Sequence, residues 1–199
     1  MIMTDRDKKV CKFIEDYGAI TTTQAKWIFF NGLQTSTMRR LNQLEKYSVL
    51  TSYHRGKRKV YNYADGKKLK EHDLGAIDFY AWIYKQGGKV LDFVQTPEYF
   101  NGKIKPDALV KFKFPYEGKM ATIYAFLEYD LNHYTEVDKI RVWYEKLYED
   151  KIMSEYCGSA EFPFLIIARP TTGIRYNSKN FNILYCDLNF TDLEQMLVH

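Results

Sequence analysis

The chain is poor in the residues that mark several large classes of protein. It has three cysteines, Cys11, Cys157 and Cys186, scattered and odd in number. That usage predicts free thiols in a reducing compartment and excludes a disulfide scaffold. A zinc site would have to gather its ligands from distant positions. No run of 18 apolar residues is present, so no membrane-spanning helix is expected. The first ten residues, MIMTDRDKKV, lack the apolar stretch of a secretory signal, which leads to the expectation of a cytoplasmic protein. There is no phosphate-binding loop of the GxxxxGK[ST] form, no dinucleotide-binding glycine pattern and no Ser-His-Asp spacing. Gly87-Gly88 is too little for a phosphate cradle and reads as a helix stop.

What is present suits a folded protein of 199 residues, one medium domain or two small ones, with 46% hydrophobic and 27% charged residues. The 17 Tyr and 13 Phe, beside only 5 Pro, are assigned to sheets and cores. A net charge of +4 conceals a division. Residues 1–70 carry 15 Lys/Arg against 6 Asp/Glu, and residues 71–199 carry 14 against 19. A cationic binding module joined to a body with another task is the reading this favours. The boundary is placed at 68/69.

In the first segment Thr4 caps a helix with Asp7 at its third position, Val10, Phe13, Ile14 and Tyr17 form one face, and Gly18 ends it. Thr21-Thr22-Thr23 offers a cap for a second helix through Phe29, and Asn31-Gly32 marks a turn. A third helix is expected from Thr35 or Ser36 to Tyr47, with Met38, Leu41 and Leu44 toward the core. Ser36, Thr37, Arg39, Arg40 and Gln43 then fall largely outside the apolar stripe. Arg39 and Gln43, four apart, are the best candidates to read base edges, Ser36 and Thr37 suit phosphates, and Arg40 suits either role. Next, Val49–Tyr53 and Val60–Tyr63 flank His54-Arg55-Gly56-Lys57-Arg58-Lys59, a hairpin with a basic turn. By itself such a turn is an ordinary solvated loop. After a helix-turn-helix it completes a winged helix, and three or four phosphate contacts by its charges would give a salt slope of about 3–4.

The second segment is expected to fold as helix His72–Lys85, strands Lys89–Phe93, Ala108–Phe114 and Met120–Tyr129, a helix capped by Thr135 that carries Ile140, Trp143 and Leu147, a buried strand Phe162–Ala168, a strand Asn182–Tyr185 and a terminal helix near Thr191–Leu197. Asn132-His133 reads as a break. The fold class is therefore α+β: an N-terminal winged helix-turn-helix, then an α/β domain with a mixed sheet. Asp107 opens one strand, and Glu128 and Asp130 lie two apart at the end of the next. Residues i and i+2 share a strand face, so the three carboxylates can converge and hold a hard divalent cation such as Mg2+ or Mn2+. His72, Lys139 and Tyr144 are possible additions. Equally, carboxylates gather at strand ends because strand ends are solvated.

In the order and spacing of its short motifs the sequence resembles the replication-relaxation family of plasmids, phages and integrative elements. The resemblance rests on Thr4-Asp5-Arg6-Asp7, on Thr22-Thr23-Gln24-Ala25 before Phe29-Phe30, and on the Thr35–Leu50 stretch with Arg39-Arg40-Leu41 and Leu44. In the body it rests on Pro106-Asp107-Ala108, Phe126-Leu127-Glu128-Tyr129-Asp130, and Lys139 with Tyr144. It implies a DNA-binding protein of a mobile element, acting in replication, relaxation or regulation. It also implies a C-terminal region similar to the restriction-endonuclease-like fold, with Asp107 as first acid and Glu128 as second. The position that holds a catalytic Lys in that fold is Asp130 here, which adds negative charge instead; Lys139 is the candidate substitute. The leading expectation is a sequence-specific, double-stranded-DNA-binding homodimer, with the aromatic helix around Trp143-Tyr144 and Tyr148 either at the interface or in the core. The alternatives are a metal-dependent endonuclease or nickase using Asp107, Glu128, Asp130 and Lys139, and an adaptor that docks a replication or regulatory protein.

Overall fold

The computed structural model describes residues 1–131, 134–158, 161–171, 173 and 175–197. The expected break at Asn132-His133 lies outside the described residues. The chain divides into two compact units, Met1–Lys85 and Gln86–His199.

In the first unit α1 (Asp5–Tyr17) begins where Thr4 and Asp7 close a capping box: the Asp7 N–H donates to Thr4 Oγ1 at 3.3 Å and the Thr4 N–H to Asp7 Oδ2 at 2.7 Å. Gly18 ends the helix at φ 89°, and a Cβ there would lie 3.0 Å from Leu69 Cδ2. The two-residue strand β1 (Ile20–Thr21) leads into α2 (Thr22–Phe29), where Thr21 and Gln24 form a second capping box. A turn through Asn31 (φ 49°) and Gly32 (φ 81°) connects α2 to α3 (Gln34–Lys46). Strands β2 (Thr51–Arg55) and β3 (Arg58–Asn62) make the expected hairpin around Gly56-Lys57, and β1 joins it to give the antiparallel order β1-β3-β2. Val10, Phe13, Ile14, Ala25, Leu41 and Leu44 meet in the core.

The helix α4 (Glu71–Lys85) belongs to this first unit, so the division falls after Lys85, whereas the change of charge suggested 68/69. Its apolar residues lie all round the helix, and Leu74, Ala76, Ile77, Phe79, Trp82 and Ile83 are all buried. Polar ties hold it to α2 and β3. Gln24 Nε2 donates to Leu74 O at 3.0 Å and to Asp78 Oδ1 at 2.8 Å, and Arg58 reaches the same Asp78 oxygen at 2.7 Å.

The second unit is built on a five-stranded mixed sheet in the order β4-β5-β6-β7-β8. Strands β4 (Lys89–Gln95), β5 (Ala108–Tyr116) and β6 (Lys119–Tyr129) are antiparallel, while β7 (Phe164–Ala168) and β8 (Ile183–Cys186) run parallel to β6. A parallel return needs a crossover. Here it carries a π-helical stretch, Lys139–Tyr144, running into α5 (Glu145–Glu149), followed by the short α6 (Ser154–Cys157). Ile140, Tyr144 and Leu147 pack on Leu109, Phe126, Leu165 and Ile167 of the sheet. The chain closes with α7 (Leu193–Leu197). Among the described residues no helix is long and apolar enough to cross a membrane.

Candidate functional site

On α3 the inward stripe is Thr37, Leu41 and Leu44, all fully buried, while Met38 is exposed. The expected stripe of Met38, Leu41 and Leu44 drifts round the helix because steps of three fall short of a 3.6-residue turn; positions i, i+4 and i+7 do not. Thr37 is thereby removed from the candidate interface: its hydroxyl donates to Leu33 O at 2.7 Å inside the fold. Arg39 is exposed and Ser36 half-exposed. Arg40 turns back to α1, where its Nε donates to Asp7 Oδ1 at 2.7 Å and its Nη2 to Asp7 Oδ2, with further bonds to Gln43 Oε1 at 2.9 Å and Ile2 O at 3.0 Å. Arg40 and Gln43 are therefore a structural pair at the edge of the helix face. The Asp7 carboxyl is buried, which opposes its ionisation. The bonds from Arg40 and Thr4 outweigh this and hold it at about 2, below the usual 3.8.

The basic hairpin lies along α3. Lys59 Nζ donates to Glu45 Oε2 at 2.7 Å and Asn42 Oδ1 at 3.3 Å, and the Tyr61 hydroxyl donates to Asn42 Oδ1 at 2.9 Å. Arg58 is held by Asp78, and Arg55 Nη2 donates to Leu69 O at 2.8 Å. The exposed cation of the turn is Lys57, with His54 exposed on β2. Of the six residues His54–Lys59, three thus spend their cations on positioning the hairpin. Sequence reasoning missed the residues on the other flank of α3. A cleft of about 380 Å³ runs between α3, the hairpin and the start of α2, lined by Thr22, Thr23, Gln34, Met38, Asn42 and Lys57 among others. Its signal was available in the run of three threonines at the start of a helix, where hydroxyls and backbone N–H groups can meet a phosphate.

In the second unit the pairing of Ala108 with Leu127 sets Asp107 opposite Glu128 at the end of β5 and β6. Asp107 Oδ2 accepts from the Tyr129 N–H at 2.6 Å. Glu128 is buried, and its Oε1 accepts from the Tyr144 hydroxyl at 2.5 Å and from Lys139 Nζ at 2.6 Å. The π-helical stretch makes this possible. Five residues of α-helix turn through about 500°, which would leave Lys139 and Tyr144 about 140° apart. Bonding from i to i+5 brings residues five apart nearly into line, so both side chains reach one oxygen. Burial drives Glu128 up to about 7, with the neighbouring Asp107 adding to it and Lys139 and Tyr144 pulling the other way. The Tyr144 hydroxyl is raised too, by burial first and Glu128 second.

Asp130 does not join them. Both its oxygens accept from Thr135, Oδ2 from the N–H at 2.8 Å and Oδ1 from the hydroxyl at 2.8 Å, so it orders the start of the crossover. Among the described residues no three His, Cys, Asp or Glu side chains gather to hold a metal ion. The expected convergence of Asp107, Glu128 and Asp130 on one cation is not seen: Asp130 is bonded to Thr135, and Glu128 holds Lys139. His72 is exposed on α4, in the first unit. The aromatic helix faces inward: Tyr144 is wholly buried, Tyr148 packs edge-on to Phe162, and Trp143 lies against Phe100. This favours its core role over an interface. No protein-family model matches the chain, and no curated protein is similar enough to it to count as a relative.

Proposed function

We propose that this chain binds double-stranded DNA through a winged helix-turn-helix, with α3 as recognition helix and the β2–β3 hairpin as wing. The observation that carries the reading is the polar seam of Lys59, Asn42, Glu45 and Tyr61. It fixes the hairpin to α3, so that Arg39, Asn42 and Lys46 on the helix and Lys57 on the turn belong to one surface. Arg39 presents a fork suited to guanine, and Lys57, Lys46 and the start of α2 suit phosphates. The resemblance to the replication-relaxation family supports a regulator of replication or transcription in a mobile element. It acts as a homodimer because one such module reads few base pairs. Titration of duplex DNA at two salt concentrations tests the reading. Binding that weakens with salt and loses sequence preference in Arg39→Ala supports it; the absence of binding at either salt, or affinity indifferent to salt, overturns it.

A second reading is favoured by one observation, the approach of Lys139 to Glu128 beside Asp107. Together with a sheet of three antiparallel strands, a helical crossover and a parallel strand, it supports a restriction-endonuclease-like body and a metal-dependent endonuclease or nickase with its lysine on the helix. Plasmid cleavage in Mg2+ or Mn2+, abolished by Asp107→Ala, would favour this activity. Intact DNA under those conditions, with unchanged affinity in Asp107→Ala, favours the regulator.

A further inference from the structure

The second unit has another cavity, of about 300 Å³, at the carboxyl ends of β7 and β8. The register pairs Ala168 with Cys186, so Arg169 and Asp187 leave the sheet side by side, and the Arg169 N–H donates to Cys186 O at 3.0 Å. The carboxyl ends of parallel strands are where α/β sheets most often receive ligands. Arg169 is 5% exposed yet lines the cavity. Its guanidinium lies over the Tyr185 ring at 4.6 Å and the Tyr134 ring at 5.5 Å, and Arg175 lies over the Tyr185 ring at 5.4 Å. The result is a ladder of Tyr134, Arg169, Tyr185 and Arg175.

Stacking fixes a guanidinium by its faces. The in-plane N–H groups are the part that binds a tetrahedral oxyanion, and a stacked arginine gives up less side-chain entropy in doing so. Gly173 is fitted to it as well. A Cβ on Gly173 would lie 2.8 Å from Arg169 Nη1, so a larger residue would displace the guanidinium. Thr171 and Thr191 also line it, the Thr171 hydroxyl bonded to that of Tyr134. Two carboxylates, Asp187 and Asp192, also line the cavity. Asp187 Oδ1 is turned into its own loop, accepting from the N–H groups of Asn189 at 3.0 Å and Thr191 at 2.9 Å, while Asp192 is exposed.

We propose that this cavity binds a phosphomonoester, with the guanidinium groups of Arg169 and Arg175 as its ligands. The group comes either from a free nucleoside monophosphate or from the 5′ end of a nucleic-acid strand. The site is independent of the DNA-binding surface proposed for the first unit.

Isothermal titration of the full chain tests this, with inorganic phosphate and adenosine monophosphate as small probes and a single-stranded dodecamer bearing either a 5′-phosphate or a 5′-hydroxyl. The two dodecamers differ only in the terminal group, so binding elsewhere on the protein cancels between them. Saturable phosphate binding is expected, weakened about tenfold or more in Arg175→Ala, Arg169→Lys and Gly173→Ala. Arg175 is exposed, so its variant stays informative if Arg169→Lys fails to fold. Preference for the 5′-phosphorylated strand over the monophosphate assigns the site to strand ends, and the reverse assigns it to free nucleotides. Phosphate that does not bind saturably, or that binds Arg175→Ala as tightly as the native chain, overturns the proposal.

Discussion

The pair of Asp7 and Arg40 makes the acid stability of the first unit calculable. Asp7 is wholly buried and its carboxyl is held at about 2 against an ordinary 3.8. A carboxylate with a lowered pKa contributes stability above its unfolded value and loses it as the pH falls through the folded one. Nearly two pKa units, at about 1.4 kcal/mol each, amount to about 2 kcal/mol. This contribution is complete above about pH 5, a little over half remains at pH 3, and most is gone by pH 2. Asp7→Asn keeps the shape of the cap and removes the titration. Trp27 and Trp82 lie in the first unit and Trp143 in the second, so urea unfolding followed by tryptophan fluorescence in a Trp143→Phe background reports on the first unit alone. The native chain is expected to lose about 1 kcal/mol more than Asp7→Asn between pH 6 and pH 3. Asp7→Asn is expected to be the less stable of the two at pH 6. Parallel acid profiles for the two proteins would refute the assignment of this carboxylate to a charged clamp on Arg40.

Four further outcomes are expected. Glu128 has the opposite sign: its raised value favours the neutral acid in the folded state, so stability is full below pH 4.5 and lost as the pH rises through about 7. Glu128→Gln is therefore expected to melt higher than the native chain at pH 8 and near it at pH 5, a change on the order of 1–3 kcal/mol that calorimetry at the two pH values would detect. Gly18→Ala places a side chain at φ 89° and against Leu69, and chemical denaturation should show a loss of about 1–2 kcal/mol. Lys57→Ala should lower the salt slope of DNA binding by about 1 without altering sequence preference, and Thr37→Val, which changes a buried residue, should leave both unaltered.

Local chemistry was legible where a few neighbouring residues decide the outcome. Thr4 with Asp7, Gly18, the threonines at the start of α2 and the Gly56 turn each locate an element boundary, because caps and turns satisfy backbone groups within a few positions. The two-residue β1 and the four-residue α6 were not legible, being too short to show a period. The π-helical stretch was not either. Its residues suit an α-helix, and the widened turn becomes visible only in the bonds that Lys139 and Tyr144 make to a strand residue. The place of α4 was obscured for a related reason. Charge changes near residue 70, yet Asp78 of α4 answers Gln24 and Arg58 far back in the chain.

The cationic character of the first segment was visible at once, but its use was not. Charge counts treat every Lys and Arg as available to a phosphate. The fold assigns Arg40 to Asp7, Lys59 to Glu45 and Arg58 to Asp78, and each of these pairs sets the orientation of a surface instead of forming it. Among the described residues no ion pair engages Arg39, Lys46 or Lys57. A hairpin contributing one exposed lysine cannot by itself release the three or four counterions that its sequence suggested. In the proposed complex the salt dependence would then come in comparable measure from α3, the start of α2 and the hairpin, with about one counterion for each lysine or arginine that meets a phosphate. A slope that collapsed on removing Lys57 alone would place the charge where the sequence put it. A slope that falls in single steps, at Lys57 and at Lys46 separately, is what the paired arrangement requires.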